Sequence, residues 1–283
     1  MTKRSDNRSL TSDRRQSRSA LLCCFLLLLT CFVELPMSTS FADTNSTRSH
    51  RVGTDARRRR AGARVRRRPR LTTAQRRQIQ RWHAHPESRQ VRAWLAQSPP
   101  PLVFFPIHGQ TRWSLTPSND EGDFEGEALL LAGQALVSRD GETHPIHPRL
   151  VALVYRAVRH FRAPYVHVIS GYRPGRPSSR HAQGRAIDFV LPGVSDRRLA
   201  GFLRPQGFVG VGIYPVSGFV HLDVRGRSHF WSDSSGPNEP NRERPMLRSH
   251  AARYDVAARR LGVEPLSDVD LDAGEPDEVG DTG

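Results

Sequence analysis

Residues 179–190 read Ser179-Arg180-His181-Ala182-Gln183-Gly184-Arg185-Ala186-Ile187-Asp188-Phe189-Val190. The stretch changes character midway. Its first half continues a loop rich in Pro, Gly and Ser, and Gly184 lets the chain turn tightly there. Its second half belongs to a strand predicted over Arg185–Leu191, apolar from Ala186 to Val190 except at Asp188. A carboxylate on the buried face of such a strand is costly without a partner, and a metal ion is one such partner. Zinc accepts imidazole nitrogen and carboxylate oxygen at about 2 Å, and catalytic zinc sites keep three protein ligands beside a water. His181 at the end of the loop and Asp188 on the strand it enters can converge on one ion. Spacing alone fits equally well an exposed loop histidine and a surface carboxylate.

A second stretch tilts that balance. In Gly218-Phe219-Val220-His221-Leu222-Asp223 the period-two alternation puts His221 and Asp223 on one face and Val220 and Leu222 on the other. Strands are predicted over Phe219–Val224 and Phe208–Tyr214, joined by Pro215–Gly218, and over Tyr165–Ile169, which runs into Ser170-Gly171-Tyr172-Arg173. Leu150, Val151, Val154, Val158 and Phe161 recur at helical spacing, so residues 148–162 read as an amphipathic helix, and Asp196–Leu203 as a shorter one. The fold class that follows is α+β, a small, mainly antiparallel sheet flanked by helices.

Towards the N-terminus, residues 72–97 read as helix, capped by Thr72 or Thr73 and split in two at Pro86. Short β-like runs follow at Leu102–Ile107, Thr111–Leu115 and Ala128–Leu136. Residues 71–130 thus hold a helical segment and short strands with no chemistry of their own. Residues 236–260 form a C-terminal extension. Residues 261–283 carry eight acids and no base, a net −8, and read as a disordered acidic tail.

The other end reads as an export signal. A basic stretch ending at Arg18 precedes the apolar run Ala20–Val33, then Pro36 and the small-residue pattern Ser40-Phe41-Ala42. The run falls short of the roughly 20 apolar residues of a membrane span. Residues 1–42 are therefore expected to be a signal peptide cut after Ala42, placing the chain in the periplasm or cell envelope. Retention as an anchor is the alternative, since Glu34 and Pro36 interrupt the run without forbidding it. All three cysteines, Cys23, Cys24 and Cys31, lie in this run, which leaves His and carboxylates as metal ligands for the mature chain.

Of the chain's net charge of +15, residues 43–100 alone carry +13, and every basic residue among them is an arginine. Residues 43–70, with the blocks Arg57–Arg60 and Arg66–Arg68, bury nothing and read as a disordered linker. A second reading makes them a tether to anionic envelope polymers or lipid head groups, at about 1 kcal/mol per basic residue. Nucleic acid is not an expected partner of an exported chain.

Four motifs, Ser-Gly-Tyr-Arg at 170–173, Ser-x-His-x-x-Gly-x-Ala-x-Asp at 179–188, Gly-Val-Gly-x-Tyr at 210–214 and Phe-Val-His-x-Asp at 219–223, resemble in order and spacing the zinc D-Ala-D-Ala-type peptidases. The nearest branch is the murein endopeptidase K-like one, in the hedgehog/DD-peptidase superfamily, and the resemblance spans about residues 130–233. It implies a hedgehog/DD-peptidase-like fold and a zinc peptidase-like catalytic domain over 131–235. It also implies hydrolysis of D-amino-acid-containing bonds in peptidoglycan peptides, by an endopeptidase rather than a carboxypeptidase. Carried over by position, His181, Asp188 and His221 match the Zn2+ ligands. Arg173 matches the arginine that meets the scissile carbonyl and its oxyanion, and Ser179 a small residue that contacts substrate or the metal's water. One departure stands out: many relatives place a Glu or Asp general base three residues before the last histidine, where this chain has Gly218. Asp223 is then either the base or a carboxylate that orients a ligand histidine from behind. A catalytically inactive, zinc-stabilised cell-wall binding module is the rival reading. Of the other candidates, His167 is expected to pack within the sheet. His160 and His229 are expected at the surface or behind a ligand, and Trp231 as a core or rim aromatic after the last strand.

Overall fold

The computed structural model describes residues 71–267, Gln110 and Asp120 excepted. The expected signal peptide, the arginine-rich linker and residues 268–283 of the acidic tail lie outside the described residues. Two helices come first, α1 (Thr73–Trp82) and α2 (Ser88–Leu95), interrupted around Pro86 as its missing N–H requires. The Thr72 hydroxyl accepts from the Gln75 N–H at 3.1 Å while the Gln75 side chain accepts from the Thr72 N–H, a complete capping box. Strands β1 (Leu102–Pro106) and β2 (Trp113–Leu115) pair antiparallel.

The next element corrects the sequence reading. Ala128–Leu136, expected as a β-like run, lies mostly in a helix, α3 (Gly126–Ala135). The run is built of Ala, Leu, Gly and Gln without one β-branched residue, and a short apolar run carries no period that separates buried helix from buried strand. The helix buries Ala132, Gly133 and Ala135.

Helix α4 (Pro148–Phe161) follows the expectation, with proline in its first turn and His147 as its cap. Then come β3 (Val166–Ser170), β4 (Ala186–Val190), α5 (Asp196–Leu203) capped by Ser195, a 3-10 turn, β5 (Val209–Tyr214) and β6 (Phe219–Val224). The chain does not end its sheet there. Strands β7 (His229–Asp233) and β8 (Glu243–Pro245) and helix α6 (Arg248–Arg260) follow. Trp231 therefore sits inside a strand rather than after the last one, and the C-terminal extension holds regular structure. Buried Asp255 ties α6 down, accepting from Phe208 N–H at 2.6 Å and Ser228 N–H at 2.8 Å.

One eight-stranded sheet results, in the order β2-β1-β3-β4-β6-β5-β7-β8. The β1–β3 and β5–β7 pairs are parallel and the rest antiparallel, so the sheet is mixed but mainly antiparallel, and the class is α+β. The parallel β1–β3 pair places residues before 130 in the same sheet as the predicted site. Asp188 lies opposite His221, Gly212 opposite both His221 and Trp231, and Gly210 opposite Asp223. Residues directly opposite share a face. The other face, with Ile187, Phe189, Val209, Val211, Val220, Leu222 and Phe230, is buried in the core, where α4 and α5 pack on it. Each such side chain contributes about 1.5–3 kcal/mol of burial, which pins the register and with it the polar face. Among the described residues no helix is long and apolar enough to cross a membrane.

Candidate metal centre

Local backbone brings His181 to the polar face. Gly184 adopts φ +63° and lies against the Pro145 carbonyl, where any side chain would collide, and its own carbonyl accepts from His147 N–H at 2.9 Å. The loop is thereby drawn in against the segment before α4. The antiparallel pairing of β4 with β6 then sets Asp188 beside His221.

The three side chains converge. His221 Nδ1 lies 2.8 Å from Asp188 Oδ1, His181 Nε2 lies 3.5 Å from that oxygen, and the two ring nitrogens are 3.3 Å apart. All three are buried, and one ligand atom from each falls within 4.8 Å of the others. The remaining ring nitrogens are held from behind. His181 Nδ1 donates to the Gly171 carbonyl at 2.7 Å, and His221 Nε2 donates to Asp223 Oδ2 at 2.9 Å. Two imidazoles and a carboxylate, oriented by outer acceptors and facing one point, form a donor set that can hold a divalent metal ion.

The charges respond to this crowding. Burial would raise the Asp188 carboxyl, but His181 and His221 outweigh it and hold Asp188 well below the usual carboxylate range. Burial would lower His221, yet its bonds to Asp188 and Asp223 push it up to about 9. His181 goes the other way, lowered by burial against a smaller opposing pull from Asp188. A proton and a divalent cation would compete for the same lone pair of His221 Nδ1.

The other predicted residues are arranged around this set. Arg173 is half exposed, with Nη2 3.7 Å from Asp188 Oδ2, and its N–H donates to the His181 carbonyl. Ser179 is half-buried in the turn two residues before His181. Asp223 is fully buried on the far side of His221 from Asp188, and Arg225 Nε donates to its Oδ1 at 2.6 Å. Burial opposes its charge, but Arg225 and His221 hold it well below the usual range.

Gly218 adopts φ +73°, and a Cβ there would meet Ile79 of α1 at 2.5 Å. His83, just past α1, donates to its carbonyl at 3.1 Å. The N-terminal helix thus packs directly against position 218. His167 packs edge-on against Phe105 and Tyr165, lowered to about 4 by burial, and lies outside the three-residue cluster. His160 stacks on Phe202.

Trp231 stacks on His229 and tilts against the His221 ring with centroids 5.1 Å apart, so both border the site. Arg225 was missed by the sequence reading. Its signal was there: His221, Asp223 and Arg225 continue one period-two face.

No curated protein and no solved structure matches the chain. A family model described as peptidoglycan L,D-endopeptidase MepK matches residues 98–231, a span that opens before β1 and closes within β7. Over that segment the chain is similar to this zinc D-Ala-D-Ala peptidase-type family.

Proposed function

We propose that the protein is an exported, zinc-dependent peptidoglycan hydrolase that cleaves stem-peptide or cross-link bonds, as an endopeptidase rather than a carboxypeptidase. The observation that carries this reading is the buried convergence of His181, Asp188 and His221 inside the segment matched by the peptidoglycan L,D-endopeptidase family. Zinc bound there polarises a peptide carbonyl and lowers the pKa of water to about 7. The protein's own groups do the rest. Arg173, exposed beside Asp188, donates to the carbonyl oxygen as it gains charge, a task suited to a rigid guanidinium. Ser179 contacts the bound peptide from the turn before His181. Asp223 orients His221 from behind rather than serving as base, because its two oxygens are already engaged by His221 and Arg225.

Purified mature protein incubated with muropeptides should release peptide products identified by mass, and a chelator should abolish them. Cleavage that survives the chelator, or full activity in His181→Ala, would sink the proposal. The inactive binding module keeps one specific support, the glycine at 218 pressed against Ile79. It predicts muropeptide binding with no products. Export is checked by cell fractionation, where recovery in the cytoplasm would refute it.

A further inference from the structure

The polar face of β5 is built around an arginine. Gly210 and Gly212 lie on that face, flanked by Asp223 and His221 on β6 and by His229 and Trp231 on β7. A Cβ at Gly210 would run into Asp223 Oδ2 and Arg225 Nη2, and one at Gly212 into the Trp231 indole. Glycines therefore clear a shallow trough in which the Asp223–Arg225 pair and the Trp231 ring lie flat on the backbone. Arg225 continues the face past the end of β6, its N–H donating to Phe208 O at 3.0 Å. Its side chain is only 12% exposed, and its Nε and Nη2 each donate to a different oxygen of Asp223, a bidentate fork. The guanidinium also lies over Trp231 at 5.8 Å. Arg180, the other cation beside Asp223, stands 3.5 Å from Oδ1, too far to substitute for that fork.

We propose that Arg225 is a positioning residue. By clamping Asp223, it fixes the direction in which His221 Nε2 donates, keeps Nδ1 aimed at Asp188 and His181, and so raises the affinity of the centre for its metal ion. The inference rests on the zinc reading above. It makes a prediction opposite to simple electrostatics: removing a cation near a metal site should tighten binding by charge alone, whereas loss of the clamp loosens it. A carboxylate behind a ligand histidine typically carries 10–100-fold in metal affinity, and its own clamp should carry on the order of tenfold.

The test titrates Zn2+ into the metal-free full-length chain against a competing chromophoric chelator. Wild type, Arg225→Ala, Asp223→Asn and the double variant are compared, with folding checked by circular dichroism. The expected result is weaker zinc binding by on the order of tenfold in Arg225→Ala, and no further loss when that change is added to Asp223→Asn. Wild-type or tighter affinity in Arg225→Ala overturns the inference, and so does an undiminished loss in the Asp223→Asn background. If Arg225→Ala does not fold, Arg225→Lys decides. Lysine keeps the charge but cannot bridge both oxygens, so weakened binding supports the clamp and wild-type binding refutes it. Absence of stoichiometric zinc uptake by the wild type would instead bring down the zinc reading itself, and the clamp with it.

Discussion

At the scale of the residue, His221 is the junction of the site. One ring nitrogen meets Asp188 and the other meets Asp223, and both carboxylates are buried. Its protonated form is favoured so strongly that its pKa rises from 6.5 to about 9 in the metal-free protein. A histidine raised in this way stabilises the fold fully below about pH 6.5, and that contribution is lost as pH climbs through about 9. Asp188 and Asp223 are shifted downward, so their contribution is present at neutral pH and lost only as pH falls into the acid range. In chelator, the melting temperature is therefore expected to fall between about pH 6.5 and about pH 9. With zinc the trend reverses, because metal and proton compete for Nδ1 and zinc affinity grows as the proton leaves. Thermal unfolding across that window with and without metal checks this, and a metal-free melting curve that does not respond to His221→Ala would count against it.

Asp255 gives a second residue-scale expectation, independent of the metal. Its carboxylate accepts from two backbone N–H groups and the Ser228 hydroxyl in a buried setting. Asp255→Ala leaves those donors without partners and should cost about 2–5 kcal/mol, read as a lower midpoint in denaturant. A loss below about 1 kcal/mol would show that water replaces the carboxylate without penalty.

At the scale of the element, α1 matters because of where it rests. Ile79 fills the space a side chain at 218 would need, and His83 holds the Gly218 carbonyl. Gly218→Glu, which introduces an acid at this position, should cost about 2–4 kcal/mol from the left-handed backbone and the collision together. Ile79→Ala relieves only the collision. In that background the same substitution should cost about 1–2 kcal/mol, a coupling that a double-mutant cycle in denaturant measures. Additive costs would mean that α1 does not press on position 218. Helix α3 teaches a different lesson about elements. Its Ala–Leu run has no usable period, and its partners are supplied by distant segments: the buried Gly133 would meet the His144 carbonyl if it carried a side chain. Packing decided its state.

For the whole molecule, charge is distributed by segment rather than spread over a surface. Residues 43–100 hold +13 of the net +15, and residues 261–283 hold −8. If the arginine blocks tether the chain to anionic envelope polymers or lipid head groups, changing Arg57–Arg60 and Arg66–Arg68 to glutamine in the full chain should abolish co-sedimentation with anionic vesicles at low salt. Muropeptide cleavage should be left unchanged. Equal sedimentation of both forms, or sedimentation indifferent to salt, would refute an electrostatic tether.

The sequence by itself determined the polar face of the site and the elements that carry it. Strand alternation put His221 and Asp223 together, helical spacing placed α4, and Pro86 divided α1 from α2, because each of these signals is local and has a fixed period. The tertiary structure alone decided the rest. Pairing of Asp188 with His221 depends on strand register between segments 33 residues apart, and the helical state of α3 on what packs against it. Strands β7 and β8 extended the sheet beyond the last clear alternation. The pressure of Ile79 on Gly218 is a contact between chain segments whose sequences carry no trace of each other. Local sequence sets which face a side chain takes. Only long-range packing sets what that face meets.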